Sequence, residues 1–289
     1  MAAEMTVVRH TLSRRALVRL LDEIDAVEQA GTPGGRWTAW LSPPEPPALA
    51  TGMSWGQGPA DAVQAIPDEA VTTAEGSSTG SVIFGSEADG IVLVPPFPLQ
   101  ERGRASGWDT RALRALLARE YLLGAVLLRL EGYAVGVLQG DRLLDSRTGS
   151  RWIHGRNRKG GQSQRRFERT REKHIQELFD DACQAAQDKF TPYAARLDYL
   201  VLGGDRHTLQ AFLKRCRFLQ GYASRTLDRV LPIAEPKRAT LERLPALLWQ
   251  SHLLMWSGAA GLDALGVRLP FQGPTASEEG RAREGDGHG

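Results

Sequence analysis

Apolar residues at Leu12, Ala16, Leu17, Leu20, Leu21, Ile24 and Val27 recur close to every 3.6 positions and predict an amphipathic helix over residues 12–30. Ser13 is placed to cap it and Gly31 to stop it. Residues 36–41, with Trp37 and Trp40, read as a short strand. Pro43, Pro44, Pro46 and Pro47 then break regular structure, and residues 42–80 read as loop-rich. Residues 81–85 and 90–94 are short strand candidates. Residues 109–120 return to helical spacing, with Leu113, Leu116 and Leu117 inward and Asp109 as N-cap. Residues 1–118 therefore read as a small N-terminal α/β domain. Trp37, Trp40, Trp55 and Trp108 are either core anchors or surfaces on which a base would stack.

The pattern sharpens after Leu122. Residues 124–130 make an apolar strand, Glu131-Gly132 a turn, 133–139 a second strand, Gly140-Asp141 another turn, and 142–146 a third strand. Residues 148–162 are polar, basic and glycine-containing, and are expected to form an exposed mobile loop. A long helix is predicted over 163–189, with Phe167, His174, Ile175, Leu178, Phe179, Ala182, Ala185 and Ala186 on one stripe. Phe167 reads as a core residue that seats the helix under the loop. Thr191-Pro192 ends that helix. A buried strand over 196–202 closes on Gly203-Gly204, Asp205 caps a helix running to about Arg217, and 229–233 is a last short strand. Three antiparallel strands followed by alternating units predict a mixed sheet with helices on its faces, an α/β (α+β) domain over 119–235. Residues 236–260 read as helix broken at Pro245, within a helical extension over 236–272. The tail, 273–289, is too poor in apolar residues to order itself.

Composition changes this picture in three places. Cys183 and Cys216 lie far apart and form no CxxC, so no disulfide framework and no cysteine zinc site is expected, which fits a reducing cytosol. The six histidines show no metal-ligand spacing. The N-terminal residues lack a signal-peptide core, and the apolar run 121–138 contains Arg129, Glu131 and Gly132, which argues for strands rather than a membrane span. Charge is focused. Between Arg151 and Lys173 stand nine Lys or Arg and two Glu, a local net of +7 against +2 for the whole chain. Such a footprint suits the phosphates of RNA or DNA.

At the centre of that segment lies Gly160-Gly161-Gln162. The spacing Gly155 to Gly160 is that of a phosphate loop, but Gly161-Gln162 stands where Lys-Ser/Thr is needed, so nucleotide hydrolysis is not indicated. A two-metal nuclease needs carboxylates on its central strands. The strand 124–130 has none, Asp141 sits in a turn and Asp145 stands alone. Paired glycines let the backbone approach a partner closely. Glutamine does not titrate, so it cannot be a general base, but its amide and backbone N–H can orient water and meet a developing oxyanion. No cofactor or metal is called for. The rest of such a site must come from another body, held through its phosphates by the neighbouring arginines.

The run Lys159-Gly-Gly-Gln-Ser163-x-x-Arg166-Phe167-x-Arg169-x-Arg171-x-Lys173 resembles the catalytic middle domain of the eukaryotic and archaeal class-1 peptide-chain release factors. Gly136-x-Leu138-Gln-Gly140 and Val201-Leu-Gly-Gly204 extend the resemblance over residues 122 to about 233. It implies an RNase H-like mixed sheet and a Gly-Gly-Gln tip that promotes water attack on the ester joining peptide to tRNA. Residues 1–118 contain no Asn-Ile-Lys-Ser segment, and the short C-terminal part is not expected to form the domain that binds a release-factor GTPase. A catalytic domain without a decoding domain resembles the Vms-type peptidyl-tRNA hydrolases in their short bacterial form. The resemblance implies a cytoplasmic enzyme acting on peptidyl-tRNA in stalled large ribosomal subunits, as part of ribosome quality control. Gly160, Gly161 and Gln162 match the catalytic tip, with Gln164 as rival glutamine because Vms-type proteins often place it later. Arg156, Arg158, Lys159, Arg165, Arg166, Arg169, Arg171 and Lys173 match positions that would contact ribosomal or transfer RNA, and His154 could stack on a base. A non-catalytic rescue factor that uses the same basic loop only to dock is the alternative.

Overall fold

The computed structural model describes residues 6–31, 35–43, 66–87, 89–151, 162–258 and 266–268 of the 289. The chain divides into two compact units, one formed by residues 1–118 with 249–289, the other by 119–248.

The first unit is built on an antiparallel six-stranded sheet. Its strands are β1 (Thr6–Leu12), β2 (Trp37–Leu41), β3 (Ser81–Gly85), β4 (Gly90–Val94), β5 (Gly103–Ser106) and β11 (Ser251–Ser257), in the order β1-β11-β4-β3-β2-β5. Helix α1 (Arg14–Gln29) starts at Ser13, whose hydroxyl accepts from the Ala16 N–H. It buries Leu17, Leu20, Leu21 and Ile24. Gly31, at φ 67°, follows its end. Helix α2 (Asp68–Glu75) packs Ala70 and Ala74 against Ile83, Val92, Leu254 and Trp256. Helix α3 (Arg111–Ala118) follows Asp109, which accepts from the Arg111 N–H at 2.9 Å. Trp40 and Trp108 are buried, and the Trp108 indole donates to the Gly85 carbonyl at 2.9 Å, so both are core anchors. Trp55 lies outside the described residues.

The sequence pattern missed β1, α2 and β5. Strand β1 runs directly into the helical stripe read from Leu12, and α2 and β5 are short and carry little apolar periodicity. A larger correction concerns residues 236–260, expected to be helical throughout. Helix α7 spans only Arg238–Leu248, and it keeps Pro245 buried inside it rather than breaking there. Residues 251–257 form β11, in the middle of the sheet between β1 and β4. A run such as Leu253-Leu254-Met255-Trp256 is apolar on both faces, so its periodicity does not separate a buried strand from a helix.

The second unit is the mixed sheet. Its strands are β6 (Leu122–Arg129), β7 (Gly132–Gln139), β8 (Arg142–Ser150), β9 (Tyr199–Gly204) and β10 (Thr226–Leu231), ordered β10-β9-β6-β7-β8. The pairs β6–β7 and β7–β8 are antiparallel, while β6–β9 and β9–β10 are parallel. Helices α4 (Gln162–Phe190), α5 (Arg206–Arg215) and α6 (Arg217–Gln220) cover one face, packing Leu178, Phe179, Ala182, Ala186, Phe190 and Phe212 on Val126, Leu128, Val135, Val137 and Leu202. Leu241 of α7 lies over Gly136, on the opposite face. Asp205 caps α5, its carboxylate accepting from the Thr208 N–H at 2.8 Å. The predicted succession of elements and the mixed sheet are therefore present, with the last two strands at Tyr199–Gly204 and Thr226–Leu231 rather than 196–202 and 229–233. Strand β8 runs on to Ser150, beyond the end its pattern showed.

Two glycines have identifiable reasons. A Cβ on Gly124 would stand 3.1 Å from the Phe190 ring, so the missing side chain lets the end of α4 lie close on β6. Gly204 has φ 133°, and a Cβ there would overlap the Leu128 carbonyl oxygen. Gly204→Ala should lower the unfolding free energy by about 2–4 kcal/mol through steric and backbone strain, as measured by urea denaturation.

The cysteine expectation is also corrected. Cys183 of α4 and Cys216 at the α5–α6 junction are joined in a disulfide, with Cα atoms 5.5 Å apart. Spacing along the chain could not reveal this, because only the packing of α4 on α5 brings the two together. In the chain-entropy view, closing a loop between residues 33 apart stabilises by roughly 3–4 kcal/mol. Reduction with a thiol should lower the unfolding free energy by about that amount, and the purified protein should gain two mass units on reduction.

Candidate functional site

The candidate arm connects β8 to α4. Its root is fixed by register: Ser150 lies opposite Gly132, and Gly132 opposite Arg129 at the carboxyl end of β6. Leu128 pairs with Gly204, so the chain leaves the sheet at the edge where the parallel strands end and α5 begins. A cleft of about 390 Å³ opens at that edge, lined by Arg129, Gly204, Asp205, Arg206 and residues 232–234. Arg129 Nη1 donates to the Ile233 carbonyl at 2.7 Å.

Ion pairs hold β8 to α4. Arg151 pairs with Glu177 and, at 3.1 Å, with Asp181. Arg147 meets Asp188 at 2.8 Å, and Lys189 meets Asp145 at 2.7 Å. Arg151 belongs to the cationic run by sequence, yet its charge is spent on two carboxylates of α4. Asp145, which stood alone in the sequence, is the partner of Lys189. Each pair is partly exposed and of modest strength, but the four run from Asp145 in the middle of the strand to Arg151 just past its end.

Gly160, Gly161, Arg156, Arg158, Lys159 and His154 lie outside the described residues, as does most of the expected loop. Its first part, 148–150, belongs to β8. Gln162, Gln164 and Arg165 stand in the first turn of α4. Arg166, Arg169 and Lys173 are exposed on the following turns, and Arg171 is half-buried. Lys173 reaches Glu177 at 3.8 Å.

Phe167 is not a core residue. It is 52% exposed, although it lies on the same stripe as Leu178. The reason is length. A helix of 29 residues runs for about 43 Å, whereas the nine residues of β8 span about 30 Å. Full burial along α4 begins only at Leu178. Between these two residues, Arg171 Nε and His174 Nδ1 are covered and make no hydrogen bond among the described residues. An unpaired covered polar atom costs about 1–3 kcal/mol.

The far half of α4 is tied down. Asp180 accepts from Arg215 at 2.6 and 2.7 Å, one turn from the disulfide. Those hydrogen bonds hold the Asp180 carboxyl below the ordinary value of 3.8 against the smaller opposing effect of burial. Near the start of β6, burial, reinforced by the neighbouring Tyr199, pushes the Tyr121 phenol up to about 12. Its ring packs on Tyr199 and under the Arg119 guanidinium. Burial lowers the pKa of Arg229, whose Nη2 donates to the Leu247 and Leu248 carbonyls and so fixes the end of α7.

With this geometry in place, comparison with known proteins is informative. Residues 121–254 match the model of the Actinobacteria/chloroflexi VLRF1 release factor family. Peptide chain release factor subunit 1 of Archaeoglobus fulgidus is 31% identical over 117 residues, covering 40% of this chain and 29% of that protein. The protein of the same name from Thermococcus onnurineus is 29% identical over 140 residues, covering 44% and 33%. This chain is release-factor-like. It spans about a third of the length of these curated relatives. The crystal structure of archaeal translation termination factor aRF1 aligns with 82% of this chain and 73% of its own, at 15% identity and a TM-score of 0.34. No helix among the described residues of the release-factor-like chain is long and apolar enough to cross a membrane.

The Asp180–Arg215 pair gives a pH test. A depressed carboxyl pKa contributes stability that is present above the unfolded value and lost as pH falls through the folded one. Wild type should therefore exceed Asp180→Asn in thermal stability above about pH 4, and the difference should vanish in more acidic solution. Unfolding temperatures from pH 7 down to pH 3 measure it.

Proposed function

We propose that the chain is a ribosome-dependent peptidyl-tRNA hydrolase of the Vms type, acting in the cytoplasm on stalled large ribosomal subunits. The observation that carries this reading is the sequence Gly160-Gly161-Gln162 leading into a long helix whose first turns are basic, in a release-factor-like unit. Gln162 does not titrate, so it does not act as a base. The chain's contribution is positional: the glycines admit the tip to a narrow RNA-lined cavity, and Gln162 orients water and offers its N–H to the developing oxyanion. Arg156, Arg158, Lys159, Arg165, Arg166, Arg169, Arg171 and Lys173 hold ribosomal or transfer RNA through phosphates. The ester arrives with the peptidyl-tRNA. No cofactor or metal enters.

The test uses large subunits carrying peptidyl-tRNA, with separation of tRNA from peptide followed on a gel. Gln162→Ala should slow release by about 100- to 1,000-fold while leaving subunit binding unchanged. Undiminished release would move the role to Gln164, and binding without release by wild type would make the protein a docking factor. Arg166→Glu with Arg169→Glu should weaken binding and reduce the slope of log affinity against log salt by roughly 0.7–0.9 for each phosphate no longer held.

A further inference from the structure

Phe167 has no place in the positional chemistry described above. It is a large apolar side chain on a highly charged stretch of helix, and it is more than half exposed. Every described neighbour from Arg166 to Thr170 is exposed as well. The exposed half of the ring gains nothing from burial in the fold. On a helix its neighbours are the residues three and four further on, Thr170 and Arg171, and then His174 one turn beyond. Thr170 turns its hydroxyl back to the Arg166 carbonyl at 3.0 Å. Arg171 Nε and His174 Nδ1 lack partners among the described residues. One face of α4 therefore presents a half-exposed aromatic ring followed by two half-buried side chains, each with a covered nitrogen that makes no hydrogen bond among the described residues. Arg166 and Lys173 flank that face, and both are exposed.

We infer that Phe167 stacks against an unpaired RNA base, with Arg171 and His174 turning to hydrogen-bond the same or the next nucleotide. The charge around it selects the partner. Phosphates meet the guanidinium and ammonium groups while a base lies on the ring, and single-stranded nucleic acid supplies both together. A purely cationic helix would hold phosphate without distinguishing paired from unpaired RNA. The ring adds that distinction, because a base within a duplex is already stacked on its neighbours. Phe167 is thus a positioning residue: it fixes the depth and rotation of α4, and so of Gln162 at the helix start. This inference rests on the RNA-docking part of the proposed function.

The experiment measures affinity for large ribosomal subunits over a range of salt concentrations, for wild type, Phe167→Ala, Phe167→Leu and Phe167→Trp. Because the ring is exposed, unfolding temperatures should be alike for all four. Phe167→Ala should lose about 5- to 150-fold in affinity with an unchanged salt slope, since every phosphate partner is kept. Phe167→Leu should show most of that loss, and Phe167→Trp should bind within about twofold of wild type. Wild-type affinity in Phe167→Ala would overturn the contact altogether. Wild-type affinity in Phe167→Leu would replace the base with an apolar surface, such as a ribosomal protein. Failure of wild type to bind with any salt dependence would instead sink the RNA-docking reading, and this inference with it.

Discussion

The packing of the second half of α4 on the mixed sheet is the constraint on which the site depends. Leu178, Phe179, Ala182, Ala186 and Phe190 hold the helix against β6 and β7. The glycine at 124 allows the closest approach. Four ion pairs to β8 set its direction, and a disulfide and an ion pair bind it to α5. Because this half is fixed, the other half is carried as a rigid lever beyond the sheet. A flexible loop alone would have to order many residues on docking, each at an entropic cost of about 1–2 kcal/mol. A helix that is already formed places its first residues without that cost.

The two halves of α4 also divide its chemistry. Acidic residues Glu177, Asp180, Asp181 and Asp188 lie on the anchored half, where each meets an arginine. The basic residues of the first turns are left exposed. Internal pairing thus neutralises the helix where it touches the protein and leaves it positive where a polyanion would approach. The division has a bearing on specificity, since the only exposed large aromatic among the described residues stands within the positive half.

Much of this was legible before the structure. The strands of the mixed sheet, the long helix, the Thr191-Pro192 pair that ends it and the role of Asp205 follow from periodicity and turn residues, because each of these elements buries one face against a continuous core. The failures share a cause. Phe167 sits on the stripe of α4 as the pattern shows, but where a sheet ends is a tertiary fact that periodicity cannot contain. Cys183 and Cys216 meet only because two helices cross. Ser251–Ser257 is apolar on both sides because it is a central strand, and that pattern has no period to read. The tip residues Gly160 and Gly161 are known from sequence alone, and the placement of Gln162 at the helix start does not choose between it and Gln164.

The strand Ser251–Ser257 lies between β1 and β4, although some 240 residues of chain separate it from β1. The release-factor-like unit is thus a single continuous insertion in a discontinuous host. During synthesis the order of completion is reversed with respect to the order of translation. Residues 119–248 can close their own core as soon as they emerge, while the first strand made must wait unpaired for one of the last. A chain cut between residues 248 and 251 would keep the insert whole and leave its host open along β1 and β4, with unpaired strand edges that invite aggregation.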